Sequence, residues 1–202
     1  MVTGGIKETG AARRGLDPRA ERSRAAALAA ATDLLIESGW AGVTHVSVAA
    51  RSGVGRTTLY RHWPESALLI QELLADLFQV ERPVRTGELR EDLLRELGVF
   101  LAVLHDPKAE RALRVIIDQA PLDPRYAEVL ASCGRRGTEG LRETLETARG
   151  RGELPARLDT DRAIDALLGP LVFRRLISGN SFDERYLAGL VDTFLAAHTG
   201  RD

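Results

Sequence analysis

Two glycines flank a single valine at Gly53-Val54-Gly55, and this bend limits what the chain around it can become. "THVSVAARS" precedes the bend and "RTTLYRHW" follows it. Each half is long enough for only about two helical turns, and helices that short are marginal in water without packing partners. Thr44 is a capping residue type at the start of the first half. Arg56 to His62 reads as the second helix, and Pro64 ends it. Two such helices must rest on a third, and the upstream sequence supplies one. Asp17-Pro18 reads as an N-cap followed by a first helical residue. Ala27, Leu28, Ala31, Leu34 and Leu35 then recur at helical spacing until Gly39. Val48, Ala49, Val54, Leu59 and Trp63 are the side chains expected to hold the short pair against it.

The rest of the chain also reads as helical. A fourth helix is expected from Glu65 to about Val80. Leu89, Leu93, Leu97, Phe100 and Leu104 share one face of a fifth, closed by Asp106-Pro107. A shorter helix follows, to about Gln119. A long one begins near Pro124 and ends at a loop over residues 150–158. Asp159 caps an apolar helix running to Ser178, and "GNSFDE" turns the chain into the last. No alternating apolar runs are joined by hairpin turns, so the fold class is all-α, with about nine helices. The expected organisation is a disordered basic tail over 1–16, a three-helix unit over 17–63, and a larger helical domain over 64–202.

Composition narrows the function class. Of 202 residues, 44% are apolar and 28% charged, as in an ordinary globular protein. No apolar run approaches the ~18 residues that span a bilayer, so no membrane role is expected. The polar N-terminus lacks the apolar stretch of a secretory signal. Cys133 is the only cysteine, which excludes a disulfide framework and fits a reducing cytoplasm. It reads as an inert helix residue sooner than as a redox sensor. The formal charge of −1 conceals a division. Residues 1–63 carry nine Lys and Arg against five Asp and Glu, net +4, leaving nineteen against twenty-four, net −5, for the remainder. A basic first part suggests a polyanion partner for that part alone.

No constellation for catalysis or metal binding accompanies this. His45, His62, His105 and His198 are scattered, Cys133 has no C-x-x-C partner, and no G-x-S-x-G occurs. "GVGRTT" lacks the G-K-[ST] of a phosphate loop and follows a helix. The chain is therefore not expected to be an enzyme, and no cofactor or metal is expected.

Two short helices joined by a glycine turn form a helix-turn-helix, whose second helix lies in the DNA major groove with its N-terminal residues toward base edges. Arg56, Thr57 and Thr58 occupy that first turn. Arginine can bond guanine through two donors, and threonine offers a hydroxyl or a methyl. Tyr60, Arg61 and His62 follow as further candidate contacts. The alternative is a helix-turn-helix that serves as a protein-interaction module without sequence-specific DNA binding.

Residues 39–63, "GWAGVTHVSVAARSGVGRTTLYRHW", resemble the DNA-binding signature of the tetracycline-repressor (TetR/AcrR) family. The turn together with "TTLYRHW" is the specific part. The resemblance covers residues 19–75 strongly, and the remainder matches in helix count and in "RGELP" ahead of two apolar helices. It implies a homodimer on a palindromic operator of double-stranded DNA and a small-molecule effector of unknown identity held within the C-terminal helices. By the same resemblance Thr44, Tyr60 and His62 are phosphate contacts, Arg56 and Thr57 read bases, and Trp63 is a core aromatic. One departure stands out. The family usually has a lysine three residues after the aromatic, where this chain has Ser66, so that contact is lost or reduced to a hydroxyl and helix amides. Arg13, Arg14, Arg19, Arg22 and Arg24 are open to two readings, an arm reaching DNA or a solvated tail and helix face. His45 stands where the family has an apolar residue.

The candidate cavity lining is Leu74, Leu77, Phe78 and Phe100, with Leu104, Ile116, Ile117 and Tyr126; each also suits an ordinary core. Gly134, Gly137 and Gly140 recur every three residues, a pattern that fits close packing or a helix break sooner than ligand space. The last two helices carry more apolar surface than one stripe can bury. Leu167, Leu168, Leu171 and Val172, with Leu187, Leu190, Val191 and Phe194, are therefore expected at a four-helix dimer interface. Arg174 and Arg175 are expected to pair there with acids, and Pro170 to kink its helix or mark a break.

Overall fold

The computed structural model describes residues 18–79 and 81–198, and among these every regular element is a helix, with no strand. The expected basic tail and Asp17 cap lie outside the described residues. The helices are α1 (Pro18–Gly42), α2 (His45–Ser52), α3 (Arg56–His62), α4 (Ser66–Leu77) and α5 (Leu89–His105). After them come α6 (Pro107–Gln119), α7 (Pro124–Gly150), α8 (Thr160–Val172) and α9 (Glu184–His198). Local chemistry sets many of the boundaries. Asp106, Asp123 and Asp159 each accept hydrogen bonds from the first-turn amides of the helix they precede, and proline follows at Pro107 and Pro124. The fourth helix stops at Leu77, short of the expected Val80.

Two apolar clusters divide the molecule. The first joins Leu28, Leu35, Val48, Leu59, Trp63 and Ile70 from α1 to α4, and takes in Ile116 of α6 and Tyr126 of α7. The second joins Leu93, Leu97, Leu141 and Leu145 with Leu167, Leu187, Val191 and Phe194, from α5 and α7 to α9. Packing therefore does not follow the expected boundary at residue 63. Leu69, Ile70, Leu73 and Leu74 bury α4 with the N-terminal helices.

The same packing corrects the expected interface. Leu167, Leu171, Leu187, Val191 and Phe194 are buried within this one chain, because α8 and α9 lay their main apolar stripes on α5 and α7. Leu168 and Leu190 are half-buried. Val172 is 38% exposed, and next to it Phe173 (61%) and Ile177 (72%) face outward. Arg175 is also an internal residue. Its guanidinium donates to Glu110 Oε2 of α6 at 2.6 Å and to the Leu104 carbonyl at 3.1 Å. Arg174 donates to the Ser181 carbonyl and lies over the Tyr186 ring. Pro170 lies inside α8, which continues past it to Val172. The ladder widens just beyond it into a π-turn over Phe173–Ile177, with the Ser178 N–H bonded to the Phe173 carbonyl.

Candidate functional site

Three devices fix α3. Gly53 adopts φ 72°, a left-handed conformation that glycine reaches at little cost, and its N–H caps α2 on the Ala49 carbonyl. Leu59 (0% exposed) and Trp63 (2%) anchor the helix in the N-terminal cluster. The Trp63 indole donates to Glu72 of α4 at 2.7 Å, and Arg24 of α1 pairs with the same carboxylate at 2.6 Å. Arg24 is thus engaged in holding α1 to α4 instead of extending toward DNA.

The third device is His45, which sequence reasoning left without a role. Its ring is buried at the start of α2, and Nε2 lies 2.6 Å from the Trp63 carbonyl at the end of α3. Its face stacks on Tyr60, with centroids 4.2 Å apart. One side chain therefore fastens the end of α3 to the start of α2 and sets the Tyr60 ring.

With Leu59 and Trp63 turned inward, helical geometry turns Arg56, Thr57, Tyr60 and Arg61 outward together. All four are exposed, as is His62, and Thr58 is half-buried on the flank. No ion pair within the described residues engages Arg56 or Arg61. The sequence-predicted contacts on α3 thus form one polar face. Thr44 has a structural task at its edge. Its hydroxyl oxygen accepts from the Ser47 N–H at 3.1 Å, while Ser47 Oγ accepts from the Thr44 N–H, a reciprocal cap on α2. Ser66 is half-buried as the first residue of α4.

A second feature lies in the C-terminal helices, a cavity of about 740 Å³ between α4, α5, α6, α7 and α8. Of the expected lining, Phe78, Phe100, Leu104 and Ile117 border it. Leu74, Leu77, Ile116 and Tyr126 do not. Leu74 and Ile116 sit on the opposite faces of α4 and α6, in the N-terminal cluster, and Leu77 follows Leu73 by one turn on that side. Tyr126 is withdrawn to α1, where its hydroxyl accepts the N–H of Trp40 and its ring meets the indole edge-on at 5.0 Å. That N–H is available because Gly39, at φ 65°, interrupts α1 immediately before it.

The glycines of α7 do not break the helix; Gly134, Gly137 and Gly140 all border the cavity. Gly140 also permits a close approach, since a Cβ there would overlap the carboxyl of Glu96. Glu96, which sequence reasoning missed, is buried on α5 and lines the cavity. Its signal was present: an acid three residues after Leu93 lies on the apolar face of that helix. Burial pushes its carboxyl above the ordinary range, Arg82 and Arg85 draw it back, and Glu143 and Asp92 add to the rise. Burial likewise raises the Cys133 thiol on the same wall, against a weaker opposing pull from Arg136. A protonated thiol there is a poor nucleophile.

The described residues include no helix long and apolar enough to cross a membrane. Residues 27–73 match the family model for bacterial regulatory proteins of the tetR family, and residues 83–194 match the tetracyclin repressor-like C-terminal domain. The chain is 31% identical over 179 residues to the HTH-type transcriptional regulator YdeS of Bacillus subtilis (strain 168), covering 86% of this chain and 88% of that one. It is 31% identical over 185 residues to the DNA-binding transcriptional repressor TetR of Mycobacteroides abscessus, covering 88% and 94%. Among solved structures, the TetR family transcription regulator SCO0332 superposes with a TM-score of 0.61 at 29% identity, over 87% of this chain and 97% of that one. A matched pair of family domains, relatives along most of the length and an outward polar face on α3 lead to one conclusion: the chain belongs to the TetR family of DNA-binding transcriptional regulators.

Proposed function

We propose that this regulator represses transcription as a homodimer on a palindromic operator, and that a small molecule in the C-terminal cavity releases it. The observation that carries the DNA-reading part is the single face formed by Arg56, Thr57, Tyr60 and Arg61 on a helix locked from behind by Leu59, Trp63 and His45. Arg56 and Thr57 read base edges, and Tyr60, Arg61 and His62 hold the phosphates that set register. The Thr44 hydroxyl and Ser66, with the α4 amides, serve the flanking backbone. The reading places the protein in the cytoplasm, where operator DNA is found.

The outward Phe173 and Ile177 are apolar surface that a second copy would cover, beside the half-buried Leu190, whereas Leu168 and Val172, also expected at the interface, border the cavity. Two α3 helices then enter successive major grooves at a spacing near one helical turn, ~34–36 Å. Release requires a coupling of only ~1–3 kcal/mol, because a displaced second half-site forfeits its contacts. α7 supplies the route, since it lines the cavity at Gly134, Gly137 and Gly140 and holds α1 through Tyr126.

The test is fluorescence anisotropy with DNA from upstream of the protein's own gene, at two salt concentrations, with sedimentation analysis of the complex. The expected result is a dimer that prefers one sequence, with steep salt dependence, and whose Arg56→Ala variant loses about 1–3 kcal/mol of discrimination at one base pair. Binding without sequence preference would return the chain to the interaction-module reading. An unchanged Arg56→Ala variant would remove Arg56 from base reading.

A further inference from the structure

Two acids are buried within about one turn of each other on α5, Asp92 at 5% exposure and Glu96 at 6%. Asp92 is fully engaged. It accepts from the Thr86 N–H at 2.6 Å, the Thr86 hydroxyl at 2.8 Å and the Gly87 N–H at 3.1 Å, and so ties down the loop that leads into its helix. Glu96 accepts no hydrogen bond and forms no ion pair among the described residues. The guanidiniums that act on it over distance are committed elsewhere, Arg82 to Glu139 and Glu143, and Arg85 to Glu143. Its oxygens are not sealed off from the cavity, but a mostly buried carboxyl with no bonded partner still calls for a physical reason.

The surroundings supply one. The Glu96 carboxyl lies against the bare backbone of α7 at Gly140, space that a side chain there would take, and it borders the cavity. The walls on either side are apolar, including Phe78, Val99, Phe100, Leu130 and Leu168. Of the charged residues on the lining, Arg82 and Glu139 neutralise each other, Asp76 is exposed, and the exposed Arg136 is hydrogen-bonded to the Cys133 thiol. Glu96 is thus the charged group left unmatched in the interior. A ligand carboxylate would meet it as a like charge, and a neutral ligand would leave it unpaired.

We propose that the cavity takes a largely apolar organic molecule bearing a protonated amine, with the ammonium seated on Glu96 and the apolar body between Phe78 and Phe100. An ammonium supplies the donor that the carboxyl lacks, and charge-assisted bonds of this kind are the strong ones. This inference rests on the effector-binding reading above and adds the chemistry of the effector.

The experiment titrates full-length protein with decylamine, 1-decanol and decanoate, below micellar concentrations, by isothermal calorimetry. These probes share a chain and differ in the head group. Decylamine is expected to bind at least about ten-fold more tightly than decanol, with decanoate weakest, a difference of ~1.4 kcal/mol or more. Glu96→Gln should erase that preference while holding decanol within about two-fold of wild type, and Glu96→Asp, which keeps the charge, should retain part of it. Melting curves of both variants report whether they are folded. If decanol or decanoate binds as tightly as the amine, or Glu96→Gln keeps the preference, the head-group assignment is overturned and the cavity reading stands. If none of the three binds, the cavity reading falls and this inference falls with it.

Discussion

In the N-terminal helices the buried polar side chains find partners within the chain, whereas the C-terminal helices leave Glu96 without one beside an open volume of about 740 Å³. Thr32 donates to the Leu28 carbonyl, His45 meets the Trp63 carbonyl, and Glu72 meets both Trp63 and Arg24. Such bonds fix the direction of α3, and a helix that reads base edges needs a fixed direction. The C-terminal half uses similar helices and caps to a different end. There α4 and α6 pack one face into the first cluster and turn another to the cavity, and three glycines thin one wall of α7. Bonded polar groups hold the α3 surface in one direction, whereas the effector site proposed above depends on a carboxyl that lacks such a bond.

The contrast can be broken experimentally, and the largest effect belongs to the anchored half. Leu59→Ala removes a fully buried side chain under α3 and should cost about 3 kcal/mol in urea unfolding. A cost near zero would mean that α3 is not held from behind. A comparable measurement on the two acids of α5 should give effects of opposite sign. Burial works against the charge on Asp92, but the bonds from Thr86 and Gly87, with Arg85, outweigh it and hold its carboxyl below the ordinary range. Its contribution is present above the ordinary carboxylate pKa and is lost as pH falls through the lowered folded value. Asp92→Asn should therefore lose about 2 kcal/mol at neutral pH and flatten the acid limb of the stability curve. Glu96 is raised, so its contribution is complete at low pH and lost as pH rises through the folded value. Ligand-free Glu96→Gln should melt at or above the wild-type temperature at neutral pH. Equal destabilisation by the two substitutions would erase the distinction between a structural and a waiting carboxylate. The smallest effect is expected where the halves meet. Tyr126→Phe strips the acceptor from the Trp40 N–H and should cost about 1 kcal/mol, read as a lowered melting temperature.

Features governed by neighbours in sequence were legible in advance. The Gly53 turn, the Thr44 and Asp159 caps, the close of α5 at Asp106, the start of α7 near Pro124 and the Leu59–Trp63 anchor depend on a few consecutive residues. Features governed by distant partners were not. His45 gave no hint of a carbonyl eighteen residues away. Arg175 was expected to meet an acid across a dimer interface, and instead α6 brings Glu110 to it within the chain. An apolar stripe signals burial without naming the core, which is why Leu74 and Ile116 fell in the first cluster and Phe78 and Ile117 beside the cavity. The surplus apolar surface of α8 and α9 was likewise counted correctly and placed wrongly, for α5 and α7 absorb most of it.

α7 has one further mechanical consequence. It runs unbroken for 27 residues, with Tyr126 near its start in one cluster and Leu145 toward its end in the other. At 1.5 Å per residue that is a stiff rod about 40 Å long. Pivoting by about 5° at one end would sweep the other through roughly 3.5 Å, enough to spoil hydrogen bonds that tolerate a few tenths of an ångström. A lever of this length lets a nudge at the glycine wall arrive at Trp40 enlarged.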